Sequence, residues 1–367
     1  MRAAIVTAPG QPVEIREDVE IGEPGPGEVK IRMVASGVCH SDLSVQNGTL
    51  PLPMPIVPGH EGAGEVVAVG EGVTRLAVGD HVLTMFHPQC GECYMCRHDQ
   101  GYQCEKGAAT ATGGLLDGTT RLSLDGKPLY QMAMCGTFAQ EAIIPEISAV
   151  KVPRETPLDV AVLISCGVLT GVGAALNTAD IREGDTVAVL GCGGVGLNVI
   201  QGARIAGAGE IIGIDTFDSK LEMAEQMGAT KLVNASKEDP VSRVQQLSGG
   251  RGADVAFEVI GLEATINQAV AMTRNGGQTV LVGVPRVDVT LSLPVAFTFL
   301  FFNKTIKGSW YGSSNCDRDV PRLLDLHARG ELKLEELISR RIDLAEVPEA
   351  FRAMEAGEVA RSVITSF

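Results

Sequence analysis

Cys90, Cys93, Cys96 and Cys104 follow one another as C-x₂-C-x₂-C-x₇-C. Four thiolates suit a tetrahedral zinc, a borderline-soft ion with no d-electron preference for another geometry. Closed by four sulfurs, such a site has no open position for water or substrate, so it would fold a loop and leave the chemistry elsewhere. Two disulfides, or reduced thiols in a surface loop, are the alternatives, and short spacing in a chain without secretory features favours metal. A second motif carries different chemistry. Gly191, Gly193 and Gly196 form G-x-G-x-x-G within GCGGVG, between the apolar run DTVAVLG and the helical pattern GVGLNVIQGARIAG. There the first glycine permits a tight turn, the second lets backbone approach a pyrophosphate, and the third lets helix and sheet pack closely. Free N–H groups at the helix start favour phosphate. The next strand pattern, EIIGID, ends in Asp215, whose carboxylate can bind ribose hydroxyls and repel a 2′-phosphate; the following TFD offers no arginine. The motif predicts NAD over NADP, the alternative being a glycine-rich turn without a ligand.

The elements that must position these residues fall into two kinds. A chain of 367 residues exceeds one ordinary core, so two domains are expected. With 45% hydrophobic and 20% charged residues the composition is globular, and a net charge of −15 argues against nucleic-acid or anionic-membrane surfaces. The opening MRAAIVTAPGQPVEIRED has no long apolar run, so no signal peptide is expected, and LSLPVAFTFLFF (291–302) is too short to span a bilayer. Nine cysteines cannot all pair, which favours thiols in a reducing cytoplasm. In the first half, EVKIRMVASGV (28–38), GEVVAVGEGV (64–73) and GDHVLTMF (79–86) read as strands closed by turn residues, an irregular, mostly antiparallel β domain. From about 168 the pattern changes. Strands at 185–191, 210–215, 254–261 and 278–285 alternate with helices at 194–207 and 219–229, which predicts a parallel, doubly wound α/β sheet. Residues 311–367 contain helical patterns, end in strand-like RSVITSF and could pack on either domain.

Three further segments hold possible ligands: GVCHSDL (37–43), PGHEGAG (58–64) and ISCGVLTG (164–171). Singly, a cysteine or histidine is more often a packed core residue. With the cysteine loop, GHEGAGEVVAVGEGV and VAVLGCGGVGLNVIQGARIAGAGEIIGID, their order resembles that of the zinc-containing medium-chain alcohol dehydrogenases, over nearly the whole chain. The resemblance implies a β-rich GroES-like catalytic domain, 1–167 with 311–367 returning to it, and a doubly wound Rossmann NAD-binding domain, 168–310. It also implies two zinc ions per chain. Cys39, His60 and Cys166 correspond to the three protein ligands of a catalytic zinc, a Cys₂His set that leaves a fourth position open. Glu61 corresponds to a glutamate that approaches the metal, and Asp42 to the carboxylate that orients the histidine ligand. Ser41 matches the hydroxyl that accepts the alcohol proton. Thr170, Val195 and Val284 match residues lining the nicotinamide, Lys220 a cofactor-binding lysine, and Arg361 an arginine that reaches the cofactor phosphates. The chain departs from the pattern at two positions. His40 stands where many members have a pyrophosphate-binding arginine, and Ser44 where a histidine often ends the proton relay, a role serine cannot fill near neutral pH.

The family resemblance implies reversible hydride transfer from a primary, bulky or aromatic alcohol to NAD. Phe86, Leu115 and Leu116 are candidates for the substrate pocket, with ordinary core as their alternative. The glutathione-dependent formaldehyde branch is the second reading, lowered by Ala108 where that branch carries an arginine. A non-catalytic zinc and dinucleotide binder is the reading from another class, but it has no need for Cys39, His60, Cys166 and Ser41 together. GLLDGTTRLSLDGKPLYQ (114–131) resembles a loop of dimeric members. LPVAFTFLFFNKTIKG, apolar on both faces, reads as a strand that forms a homodimer or lies in the core.

Overall fold

The computed structural model describes residues 1–357 and 360–367; residues 358–359, part of the returning segment, lie outside that description. The chain divides into two compact units, Met1–Cys166 with Asn315–Arg329 and Leu334–Phe367, and Gly167–Ser314 with Gly330–Lys333.

In the first unit a seven-stranded sheet runs Ala149–Val152, His81–Thr84, Glu61–Val69, Glu28–Val38, Arg361–Ser366, Ile338–Asp343, with Glu141–Pro145 also paired to Glu28–Val38. Glu28–Val38 is buried along nearly all its length, as a central strand covered on both faces must be. Its registers decide what meets at its end. Antiparallel pairing puts Gly37 opposite Glu61, and Val38 opposite Ser362. The residues flanking those pairs (Cys39, His60 and Arg361) are thereby delivered to one edge of the sheet. Glycine at position 37 leaves room for the Glu61 carboxylate, which a Cβ there would displace. Behind the sheet lies a core of Ile5, Ile56, Leu129, Phe138 and Phe351. The segment 114–131 folds as a hairpin, Leu122–Leu124 against Lys127–Gln131.

The second unit is a six-stranded parallel sheet in the order Lys231–Asn234, Glu210–Asp215, Thr186–Leu190, Ala253–Glu258, Thr273–Leu281, Thr305–Gly308. Helices Gly194–Ile205, Asp218–Met227, Pro240–Leu247 and Glu263–Met272 connect the strands. Thr186–Leu190 is wholly buried, and Ala188, Leu190, Ile212, Ile214 and Ala256 fill the core beside it. The chain leaves this strand towards one side of the sheet and later returns to the other. The switch point lies outside the carboxyl end of Thr186–Leu190, where doubly wound sheets bind ligands. Gly330–Lys333 groups with this unit through paired bonds that the sequence does not announce. Lys333 N–H donates to Gln201 Oε1 (2.8 Å), and Gln201 Nε2 donates to the Lys333 carbonyl (3.0 Å).

The apolar 291–302 stretch is corrected in part. Ala296–Phe301 is a short helical segment of π type, and the strand begins only at Thr305. The run FTFLFF has no polar alternation to hold one face of a sheet, and five of its residues, Phe297 and Phe299–Phe302, are exposed. Among the described residues no single helix is long and apolar enough to cross a membrane.

Candidate active site

Cys39 leaves the central strand in extended geometry and caps the helix His40–Gln46. Its N–H donates to Asp42 Oδ2 (2.8 Å), while Asp42 Oδ1 accepts from Gly59 N–H (3.1 Å) and from His60 Nδ1 (2.9 Å). A carboxylate only accepts, so the proton of this bond sits on Nδ1 and the Nε2 lone pair of a neutral ring is left for a metal. Ser165 Oγ donates to the Gly62 carbonyl (3.2 Å), tying the segment that ends in Cys166 to the strand that starts at Glu61. Ser36 Oγ, bonded to the Glu61 carbonyl at 2.9 Å, fixes the same strand from its other neighbour. Neither serine has a motif; their only signal is a buried hydroxyl.

The ligand atoms of Cys39, His60, Glu61 and Cys166 all lie within 4.8 Å of one another, and all four residues are buried. Tetrahedral zinc with Zn–S near 2.3 Å requires sulfur separations of about 3.8 Å, so two thiolates and an imidazole fit. A hydrogen bond between the sulfurs holds Cys39 well below the usual thiol range and keeps the proton on Cys166, which is raised. Burial alone would lower His60, but the Asp42 charge and hydrogen bond raise it. Burial lifts Glu61 to about 7 against the opposing Arg361 guanidinium. Arg361, expected at the cofactor phosphates, is itself buried and ion-paired with Glu61. Glu61 Oε1 stands 4.0 Å from His60 Nε2.

Ser41, half-buried, has its hydroxyl 4.0 Å from Cys39 Sγ. Phe86 packs edge-on to the His60 ring, centroids 5.6 Å apart. Leu115 instead joins Met134 and Ile143 in a core cluster, and Leu116 is 42% exposed. His40 is exposed and Ser44 half-buried.

In the cysteine loop, Cys90 and Cys96 sulfurs are 4.0 Å apart and Cys93 and Cys104 sulfurs 3.9 Å, close to the tetrahedral edge. All four ligand atoms fall within 4.8 Å, and all nine cysteines are free, an arrangement that fits a metal better than two disulfides. Backbone N–H groups of Glu105 and Cys96 hold the Cys93 thiol down at about 6, favouring the thiolate a metal needs.

At the switch point of the second unit, Gly191 N–H donates to the Ile214 carbonyl (2.8 Å). A Cβ at Gly196 would strike the Gly191 carbonyl, whereas one at Gly193 would meet no protein atom within 4 Å. Internal packing thus requires Gly196, while the space above Gly193 is left for something else. Asp215 Oδ2 accepts from Cys192 N–H and Oδ1 from Thr216 N–H, both at 2.8 Å, so the carboxylate is fixed at the loop's edge. Gly171 approaches the Val195 carbonyl closely enough to exclude a Cβ, which brings Thr170 and Val195, both half-buried, to the same loop. Ile260 covers Gly191, and the adjacent Gly261 lies against Val284, 72% exposed. Lys220 is half-buried in the first turn of Asp218–Met227.

Comparison with known proteins agrees with both halves. Residues 25–154 match the alcohol dehydrogenase GroES-like domain, and residues 194–329 match the zinc-binding dehydrogenase domain. The chain is 40% identical over 366 residues to the NDMA-dependent alcohol dehydrogenase of Amycolatopsis methanolica, covering 99% of this chain and 98% of that one. It is 39% identical over 368 residues to the S-(hydroxymethyl)glutathione dehydrogenase of Haemophilus influenzae, covering 99% and 96%. The crystal structure of benzyl alcohol dehydrogenase from Acinetobacter calcoaceticus superposes with a TM-score of 0.94 at 30% identity, covering 100% and 99%.

Proposed function

Since the chain belongs to the zinc-containing medium-chain alcohol dehydrogenases, we propose that it transfers hydride reversibly between a primary, bulky or aromatic alcohol and NAD, with one catalytic and one structural zinc. The observation that carries this reading is the buried cluster of Cys39, His60, Glu61 and Cys166, with the Ser41 hydroxyl beside it. When bound, zinc polarises the substrate oxygen and the nicotinamide accepts the hydride. The chain's own residues do the rest. Asp42 holds the His60 Nδ1 proton and so presents Nε2. Ser41 Oγ receives the hydroxyl proton, and with Ser44 in place of a basic side chain the relay ends in solvent or at another group. Phe86, against His60, excludes water on one side. Asp215 addresses the adenosine ribose and selects NAD, Lys220 on the following helix also contacts the cofactor, and His40 addresses the pyrophosphate.

An aromatic or bulky alcohol is favoured by the likeness to benzyl alcohol dehydrogenase and by Phe86. The formaldehyde branch is the second reading, favoured by the Haemophilus relative; against it, Ala108 offers a methyl group on the short helix after Cys104. A panel of alcohols including S-hydroxymethylglutathione, followed by NADH absorbance, separates the two: turnover of the glutathione adduct above that of benzyl alcohol would reverse our choice.

A homodimer is supported by Thr305–Gly308, an edge strand, and by exposed Val295, Phe297, Leu300 and Phe301 (62, 57, 72 and 70%), an apolar surface rarely left bare. Sedimentation equilibrium measures it. Nine free thiols suit a cytoplasmic setting.

A further inference from the structure

Two local preferences are broken together beside Asp215. Phe217 occupies the N-cap of helix Asp218–Met227 without a side-chain capping bond, at a position that favours Ser, Thr, Asp or Asn. Its ring is 47% exposed. Lys220 then places a cation in the first helical turn, where the helix dipole disfavours positive charge. Departures of this kind from local preference concentrate at functional sites. The two residues are also in contact: the Lys220 ammonium lies 5.0 Å from the Phe217 ring centroid, over its face. The nearest acid of the same turn, Asp218, is engaged elsewhere, by Lys237 Nζ (2.7 Å) and Asn234 Nδ2 (2.6 Å). Phe217 is itself tied to the carboxylate, its N–H donating to Asp215 Oδ1 at 3.2 Å. Burial pushes the Cys192 thiol up, Asp215 adds to that and Lys220 opposes it, so both charges act on the same glycine loop.

We propose that Phe217 is a positioning residue for dinucleotide binding: its ring restrains the Lys220 ammonium on the turn whose backbone is tied to Asp215, so that cation and carboxylate address one adenosine ribose. A ring face restrains a flexible lysine without neutralising it, as a carboxylate would, and leaves its N–H donors for the ligand. This rests on the reading that the Asp215 edge binds the dinucleotide.

The test is a double-mutant cycle on NADH dissociation constants, using Phe217→Leu, Lys220→Met and both together, with Phe217→Tyr as rescue and Asp215→Ser as control. Phe217→Leu weakens NADH binding about 2–5-fold, the range of an exposed cation–π contact. Phe217→Tyr restores it, and Phe217→Leu adds no loss to Lys220→Met. Equal losses in both backgrounds, or no loss in Phe217→Leu while Asp215→Ser weakens binding, overturn the proposal. If neither Asp215→Ser nor Lys220→Met changes NADH affinity, the dinucleotide reading of this edge fails instead.

Discussion

Replacing Asp42 by asparagine removes a charge and one acceptor while keeping the side chain's shape, so its effect reports the carboxylate and not a cavity. Asp42 is fully buried and accepts three bonds, from Cys39 N–H, Gly59 N–H and His60 Nδ1. With the amide nitrogen in place of Oδ2, the Cys39 N–H faces another N–H. With it in place of Oδ1, His60 must move its proton to Nε2, the atom a metal needs. The first orientation loses one charge-assisted hydrogen bond, about 1.5–3 kcal/mol, and the second also sets the Gly59 N–H against the amide, so at least one such bond is lost either way. Each 1.36 kcal/mol is about tenfold, and losses of a ligand's orienting partner typically run about 10–100-fold in metal affinity or activity. Asp42→Asn should therefore lower kcat/KM and zinc affinity by about 10–100-fold. NADH binding by the second unit should be unchanged. Steady-state kinetics, a chelator competition for zinc and a melting curve measure these three quantities. A kcat/KM within about threefold of wild type, with zinc affinity unchanged, would show that the Asp42–His60 bond does not set the ligand's tautomer.

Three other substitutions probe separate parts of the account. Asp215→Ser removes the ribose acceptor and the repulsion of a 2′-phosphate, shifting the NAD/NADP ratio of kcat/KM towards NADP by about 1–3 kcal/mol; an unchanged ratio would assign selectivity to another residue. Ser41→Ala leaves the ligand set intact but removes the proton acceptor, and should lower kcat about 10²–10⁴-fold in single-turnover alcohol oxidation, with NADH affinity kept. Cys93→Ser should lower the melting temperature and soluble yield, because metal binding in a closed thiolate site contributes folding free energy; unchanged melting would remove the structural role.

The parts that could be read from sequence were those whose geometry is local. The cysteine loop and the glycine loop each bring their groups together within a single turn or two, so spacing alone points to a tetrahedral cage or a phosphate cradle. The alternation of apolar strands with helices likewise announced the parallel sheet. Cys39, His60 and Cys166 were different: nothing in their spacing joins them, and only family resemblance did. The structure supplies the reason, in the register that sets Gly37 against Glu61 and the Ser165 bond to Gly62. The Glu61–Arg361 pair depends on the return of a strand from 300 positions away, beyond any local pattern. Leu115 and Phe86 are both apolar residues near cysteine motifs, and sequence cannot tell which packs on His60 and which on Met134 and Ile143. Residues 296–301 misled for the opposite reason: an apolar run without polar alternation fits a strand as readily as a helical turn.

The chemistry is proposed to occur at the site that holds Cys39 and not in the four-cysteine loop. The most direct measurement is zinc per chain and turnover on the same preparation of Cys39→Ser, beside wild type. Wild type should hold two zinc ions per chain. The variant should hold about one, melt near the wild-type temperature, bind NADH normally and show no alcohol oxidation. A Cys39→Ser protein with one zinc per chain and near-normal turnover would contradict the account.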